Sequence, residues 1–287
     1  MSRLALHVLR VFALVWLAHH GALAAVVDGI SQLPLAKEFA DQVDKRLDVP
    51  DSEQRTYAGR LDAAMTAAGH SDLPPQYIVL VDRSPVIQAL FIYWRSPARE
   101  WHLIGASPVS TGRPGTFDHF LTPLGVFEHT SANMDFRAEG TKNELGVRGY
   151  GVRGMRVYDF GWVMADRGWG APGQSAMRLQ MHATDPDLLE SRLGLPQSKG
   201  CIRIPASLNV FLDHYGLLDF DYEQAIDDGR HPWVLSPGRS VSPWAGKYLI
   251  VIDSMSKTRP TWARWQRPSY GGGLPAATES TILSDAC

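Results

Sequence analysis

The amino-acid sequence predicts a mostly β, sandwich-like domain with a short helical region before it and a helix near its end. Three observations carry this reading. Beyond Pro74-Pro75, residues 77–81, 89–94, 101–104, 125–129, 155–158, 178–182 and 248–252 form short apolar runs enriched in Val, Ile, Phe, Tyr and Trp, with turn residues between them. Such a series of short strands closes into two facing sheets more readily than into a parallel sheet wrapped by helices. Ahead of the strands the apolar period is helical, and a single helical period returns after residue 205.

The first element is an export signal. Within residues 1–24, Arg3 and Arg10 precede the apolar run 11–18, and Ala22-Leu23-Ala24 supplies the small-x-small pattern read by signal peptidase. A membrane anchor is the alternative, but His19, His20 and Gly21 interrupt the run short of the roughly 20 apolar residues a span requires. The expectation is a cleaved signal peptide, a periplasmic or other extracytoplasmic location, and no membrane span after cleavage. Cleavage removes two of the 28 basic residues, leaving 26 against 30 acidic ones and a formal charge of -4. That balance excludes a nucleic-acid partner, which needs a clustered basic excess to displace counterions from phosphates.

Residues 25–72 read as two short helices. Leu33, Leu35, Phe39 and Val43 share one face, and Tyr57, Leu61 and Met65 continue the period after the break at Pro50-Asp51-Ser52. The strands then define a domain over residues 75–255. Pro205 sets the first turn of the later helix, with Leu208, Phe211, Leu212 and Tyr215 on its buried side. Residues 256–287 are rich in Pro, Gly and Ser and read as a flexible tail, to which Lys257, Arg259, Trp262, Arg264, Trp265 and Arg267 give a basic, aromatic character.

Residues 146–173 hold eight glycines interleaved with Tyr150, Tyr158, Trp162 and Trp169. A mobile aromatic lid and a set of tight hairpins fit this composition equally well. Within the stretch, Gly149-Tyr150-Gly151-Val152-Arg153-Gly154 matches a dinucleotide fingerprint, but no apolar strand precedes it and no helix follows, so the match is rejected. No cofactor is implied. The histidines 102, 119, 129, 214 and 231 show no metal-ligand spacing, and no metal site is expected.

Chemistry concentrates at His182 and Cys201. A thiol is mostly protonated at neutral pH, and an imidazole that accepts its proton releases the nucleophile and later returns the proton to a leaving amine. Gly200 permits a sharp turn in which its own amide and that of Cys201 could face an oxyanion. Arg203 places a bidentate carboxylate donor two positions on. The only other cysteine is Cys287, the last residue. A nucleophile must be reduced to act, so a disulfide between Cys201 and Cys287 is expected to be absent or inhibitory.

The order His182, then Ser198-Lys199-Gly200-Cys201-Ile202-Arg203, resembles the signature of the L,D-transpeptidase catalytic domain (YkuD type), in which a histidine is followed some 15 residues later by Ser/Thr-His-Gly-Cys. Upstream, Ser110-Thr111-Gly112 and Thr122-Pro123-Leu124-Gly125-Val126-Phe127 resemble that family's turn and strand motifs, so the likeness covers about residues 75–255. The resemblance implies a β-sandwich acting on peptidoglycan stem peptides through a thioester, with Cys201 as nucleophile and His182 as general base. It further implies that the Ala183 carbonyl orients the imidazole, that the Gly200 and Cys201 amides form the oxyanion hole, that Arg203 holds a substrate carboxylate, and that Ser198 shapes the turn.

Lys199 departs from the family signature, which has histidine there. Either the position tolerates lysine because the main chain does the bonding, or a fixed cation lowers the thiol pKa and recruits an acidic substrate group. Asp185, Asp187 and Glu190 could meet a cationic substrate group, although a helix cap and a solvated face explain them more simply. Three functions stay open: a cell-wall acyltransferase, a hydrolase on the same scaffold, and an inactive wall-binding module.

Overall fold

In a computed structural model, residues 33–265 are described; residues 1–24, expected to be an export signal, Arg267 and Cys287 lie outside them. Two helices come first, α1 (Ala36–Gln42) and α2 (Asp51–Ala67), then strands β1 (Gln76–Asp82), β2 (Ala89–Arg95), β3 (Trp101–Pro108), β4 (Gly125–Glu128) and β5 (Phe136–Arg137). The long pair β6 (Arg156–Asp166) and β7 (Gln174–Ala183) follows, then β8 (Ile202–Ile204), helices α3 (Ala206–Tyr215) and α4 (Phe220–Asp227), and β9 (Tyr248–Ile252). The strands form two sheets, one ordered β3-β2-β1-β9-β4 and the other β5-β6-β7-β8. With four helices beside nine strands in two sheets among the described residues, the architecture is mixed helix and strand and rich in strand.

The core follows from strand alternation. In β1, Val79 and Val81 join Leu90, Ile92, Leu179, Met181, Ile202 and Ile204 in a cluster that draws on both sheets, while Ile78 and Leu80 join Phe91, Tyr57, Leu61 and Met65 on the opposite face. A strand covered on both faces must be apolar throughout, which is why residues 77–81 show no polar alternation. Helix α2 supplies that second cover. Helix α1 instead enters the inter-sheet cluster, with the Phe39 ring edge-on to Phe211 at 5.4 Å. The described part of that region, residues 33–72, is therefore built into the core of the strand domain.

Residues 256–265 do not behave as a tail. Trp262 is buried, stands edge-on to Tyr57 at 5.9 Å, and follows Arg259, whose guanidinium donates to the Gly194 carbonyl at 2.6 Å. A large aromatic group gains more from covering the outer face of a sheet than the chain loses in entropy by being tied down. No helix among the described residues is long and apolar enough to cross a membrane.

Candidate active site

The site lies where β7, β8 and the turn before β8 meet. Strand β7 runs parallel to β8 with His182 opposite Arg203, so these two side chains share one side of the sheet. Met177, Leu179 and Met181 occupy the alternate, core-facing positions, which leaves Arg178, Gln180 and His182 in a row on the opposite face. The sequence hid this row because Arg and Gln in a strand read as solvent-exposed.

His182 is fully buried, and its Nδ1 lies 2.8 Å from the Ala183 carbonyl oxygen, the contact the resemblance implies. A ring nitrogen facing a carbonyl carries the proton, so Nε2 is the basic atom. Nε2 is buried with no hydrogen-bond partner among the described residues. Burial, reinforced by the positive charge of Arg203, lowers the imidazole pKa from 6.5 to about 3, against a smaller opposing effect of the Ala183 carbonyl. The ring is thus neutral at physiological pH. Arg203 is itself pushed down to about 10 by burial. Tyr150 packs its ring edge against the imidazole at 4.7 Å, and its hydroxyl stands 3.4 Å from Gln180 Oε1.

The turn that carries Cys201 is fixed through its carbonyls. Arg113 N donates to the Ser198 carbonyl at 2.9 Å, Phe120 N to that of Lys199 at 3.0 Å, Thr122 Oγ1 to that of Gly200 at 2.7 Å, and Ser198 Oγ to that of Cys201 at 2.5 Å. Thr122 Oγ1 in turn accepts from Gly112 N at 2.9 Å, and Ser198 N donates to the Thr111 carbonyl at 3.0 Å. The two upstream motifs therefore converge on the turn that carries Cys201. Glycine is required twice: a Cβ on Gly112 would stand 1.9 Å from the Phe120 carbonyl oxygen, and Gly200 has φ +134° with Met177 Cε 2.8 Å from where its Cβ would be.

One expectation is corrected here. The Gly200 amide donates to Ser198 Oγ at 3.1 Å, so it is committed to the turn and does not face an oxyanion. The Gly200 carbonyl points at Thr122, and in a trans peptide the following N–H, that of Cys201, points the opposite way. Cys201 is disulfide-bonded in this structure, the state in which the sequence reading expects it to be inactive. Its sulfur lies 3.7 Å from the Arg178 carbonyl oxygen, to which it has no proton to give in this oxidised state.

Lys199 does not stand as an isolated cation beside Cys201, because its ammonium lies 3.4 Å from Asp118 Oδ2. Asp185 and Glu190 act as caps, as their simpler reading held. Asp185 accepts from the amides of Arg148, Asp187 and Leu188, and Glu190 Oε1 accepts from Ala206 N at 2.6 Å at the start of α3. Asp187 pairs with Arg148 at 2.6 Å. Of the proposed aromatic lid, only Tyr150 touches the site. Tyr158 is in the core, Trp162 is exposed on β6, and Trp169 packs on Phe117 and Phe120. Residues 156–183 form the β6–β7 hairpin, so the hairpin reading describes most of the stretch.

No family model matches the chain, and no curated relative was found for it.

Proposed function

We propose that this chain is an exported cysteine acyltransferase of the L,D-transpeptidase kind, with an L,D-transpeptidase-like β-sandwich, acting on peptidoglycan stem peptides outside the cytoplasm. The observation that carries the reading is His182: a buried imidazole with Nδ1 held on the Ala183 carbonyl and Nε2 unpartnered among the described residues, on the strand beside the one Cys201 leads into. An unpartnered buried polar atom costs stability, and a general base is a reason to bear that cost.

In the reduced protein, Nε2 takes the Cys201 proton and Sγ attacks the carbonyl of the stem peptide before its terminal D-alanine. The oxyanion is stabilised by the Cys201 amide. Collapse breaks the C–N bond, His182 returns the proton to the departing amine, and the thioester is transferred to an amine of a second stem. An imidazole with a pKa of about 3 is a weak base in the resting state. A substrate carboxylate paired with Arg203 offsets one of the two causes of that depression, and the thiolate adds a favourable neighbour, so substrate binding itself strengthens the base. The reading couples Arg203 to catalysis as well as to binding.

The test is incubation of the reduced mature protein with purified muropeptides and mass spectrometry of the products. Cross-linked dimers support the transferase. Shortened stems without dimers replace it by a hydrolase on the same site, and unchanged material by a binding module.

A further inference from the structure

Trp162 has no role in the chemistry above, yet the chain is bent to present it. In β6 the core takes alternate residues, Tyr158 and then Phe160, so unbroken alternation would send Trp162 into the core as well. The register shift between Asp159 and Trp162 prevents this. Gly161 sits in that shift at φ +80°, its amide donates to Asp159 Oδ1 at 2.8 Å, and a Cβ there would lie 2.8 Å from Asn133 Nδ2. The extra residue re-phases the strand, so Val163 and Ala165 face inward while Trp162 and Met164 face out, 69% and 57% exposed. A sheet face open to water ordinarily carries polar residues, and neighbouring exposed Trp and Met side chains there mark a contact surface.

We infer that Trp162 is a stacking platform for a pyranose ring, and that it takes the sugar to which the attacked stem peptide is attached. The inference rests on the acyl-transfer reading for which carbonyl is attacked. Trp162 is the register partner of Arg178, so it shares a face of the sheet with Gln180 and His182. The Arg178 carbonyl oxygen is 3.7 Å from Cys201 Sγ, which puts Trp162 level with the nucleophile and across β7 from it, two strand spacings or about 10 Å away. From the attacked carbonyl the acyl part of a tetrapeptide runs back through three residues, about 10 Å when extended, before the linker to its sugar. The reach matches. Beyond His182 the strand is closed, with Ala183 and Thr184 buried, which suits the single residue that leaves. An indole offers a flat apolar face whose negative quadrupole meets the C–H groups of a pyranose, while the sugar's hydroxyls stay in water.

The experiment is a binding cycle in the full-length mature Cys201→Ser protein, which is neither acylated nor oxidised at that position. Titration calorimetry compares a stem tetrapeptide with the same tetrapeptide carrying its disaccharide, with and without Trp162→Ala. The sugar is expected to tighten binding to the Cys201→Ser protein by about three- to tenfold, the factor one aromatic stack supplies. Trp162→Ala should abolish that gain and leave the affinity for the bare tetrapeptide unchanged, with Trp162→Tyr retaining part of the gain. No gain from the sugar, a gain that survives Trp162→Ala, equal losses on both ligands, or no binding of either would overturn the inference. So would tighter binding of both ligands to Trp162→Ala, the sign of another segment of this chain lying over the indole. Release of D-alanine by the reduced wild-type protein is read separately: its absence with an intact sugar-dependent cycle sinks the reaction and leaves the platform, whereas its presence without sugar-dependent binding sinks the platform alone.

Discussion

His182 ties stability to pH in a direction that can be worked out. Its pKa is about 3 in the folded chain and near 6.5 when unfolded, so between those values the unfolded state binds the additional proton. Its contribution is whole above about pH 6.5 and is lost as the pH falls toward 3. A single such group gives a slope of up to about 1.4 kcal/mol per pH unit within that window. Urea unfolding from pH 7 to 4.5 should therefore show a smaller acid-side loss for His182→Gln than for the wild type, and identical slopes would refute the depressed pKa. Lys199 is the other residue on which chemistry was expected to turn. With Asp118 at 3.4 Å its charge on the thiol is partly cancelled, so Lys199→Met in the reduced protein should raise the midpoint of Cys201 alkylation against pH by less than one unit. A larger rise would restore the cationic reading of this position.

At the scale of elements, the nucleophile turn is only as firm as the two upstream segments that hold it. Thr122→Val removes the donor to the Gly200 carbonyl and the acceptor of the Gly112 amide, each a buried bond worth about 1–3 kcal/mol when one partner is orphaned. With both groups orphaned the variant should lose about 2–6 kcal/mol of stability and most of its turnover, while Thr122→Ser retains both. Equal turnover by Thr122→Val and wild type would mean that this network does not position Cys201. These segments were visible in the sequence as motifs, but their hydrogen bonding to residues 198–201 was not, since it joins positions some 80 residues apart. Strands β1, β2 and β9 were legible because each is a continuous apolar run. Strands β5 and β8, of two and three residues, are too short for any period to show. In β6 the register shift between Asp159 and Trp162, with Gly161 at φ +80°, concealed that the strand continues to Asp166. Helix α4 went unread because Tyr222 and Ala225 are its only buried residues.

The whole molecule depends on a buried ionic chain that composition gave no hint of. Arg156, with no exposed surface, donates to Asp135 at 2.7 Å and Asp219 at 2.8 Å; Asp135 also meets His129 at 2.9 Å, and Arg239 reaches Asp219 at 2.8 Å. These groups join the β4–β5 connection, β6 and the start of α4 behind the site. Asp135→Ala takes the acceptor from Arg156 Nε and from His129 Nε2 and should cost about 3–5 kcal/mol; a change in urea midpoint equivalent to less than 1 kcal/mol would show that the chain is dispensable. The catalytic claim itself stands at this scale, because it needs the sheet, the turn and the reduction of Cys201 together. Intact-protein mass spectrometry of the reduced mature chain incubated with a stem tetrapeptide tests it most directly. The account predicts a covalent adduct on Cys201 equal to the tetrapeptide minus D-alanine, absent in Cys201→Ser and in protein left oxidised, whereas an unmodified mass with the thiol demonstrably free would contradict it.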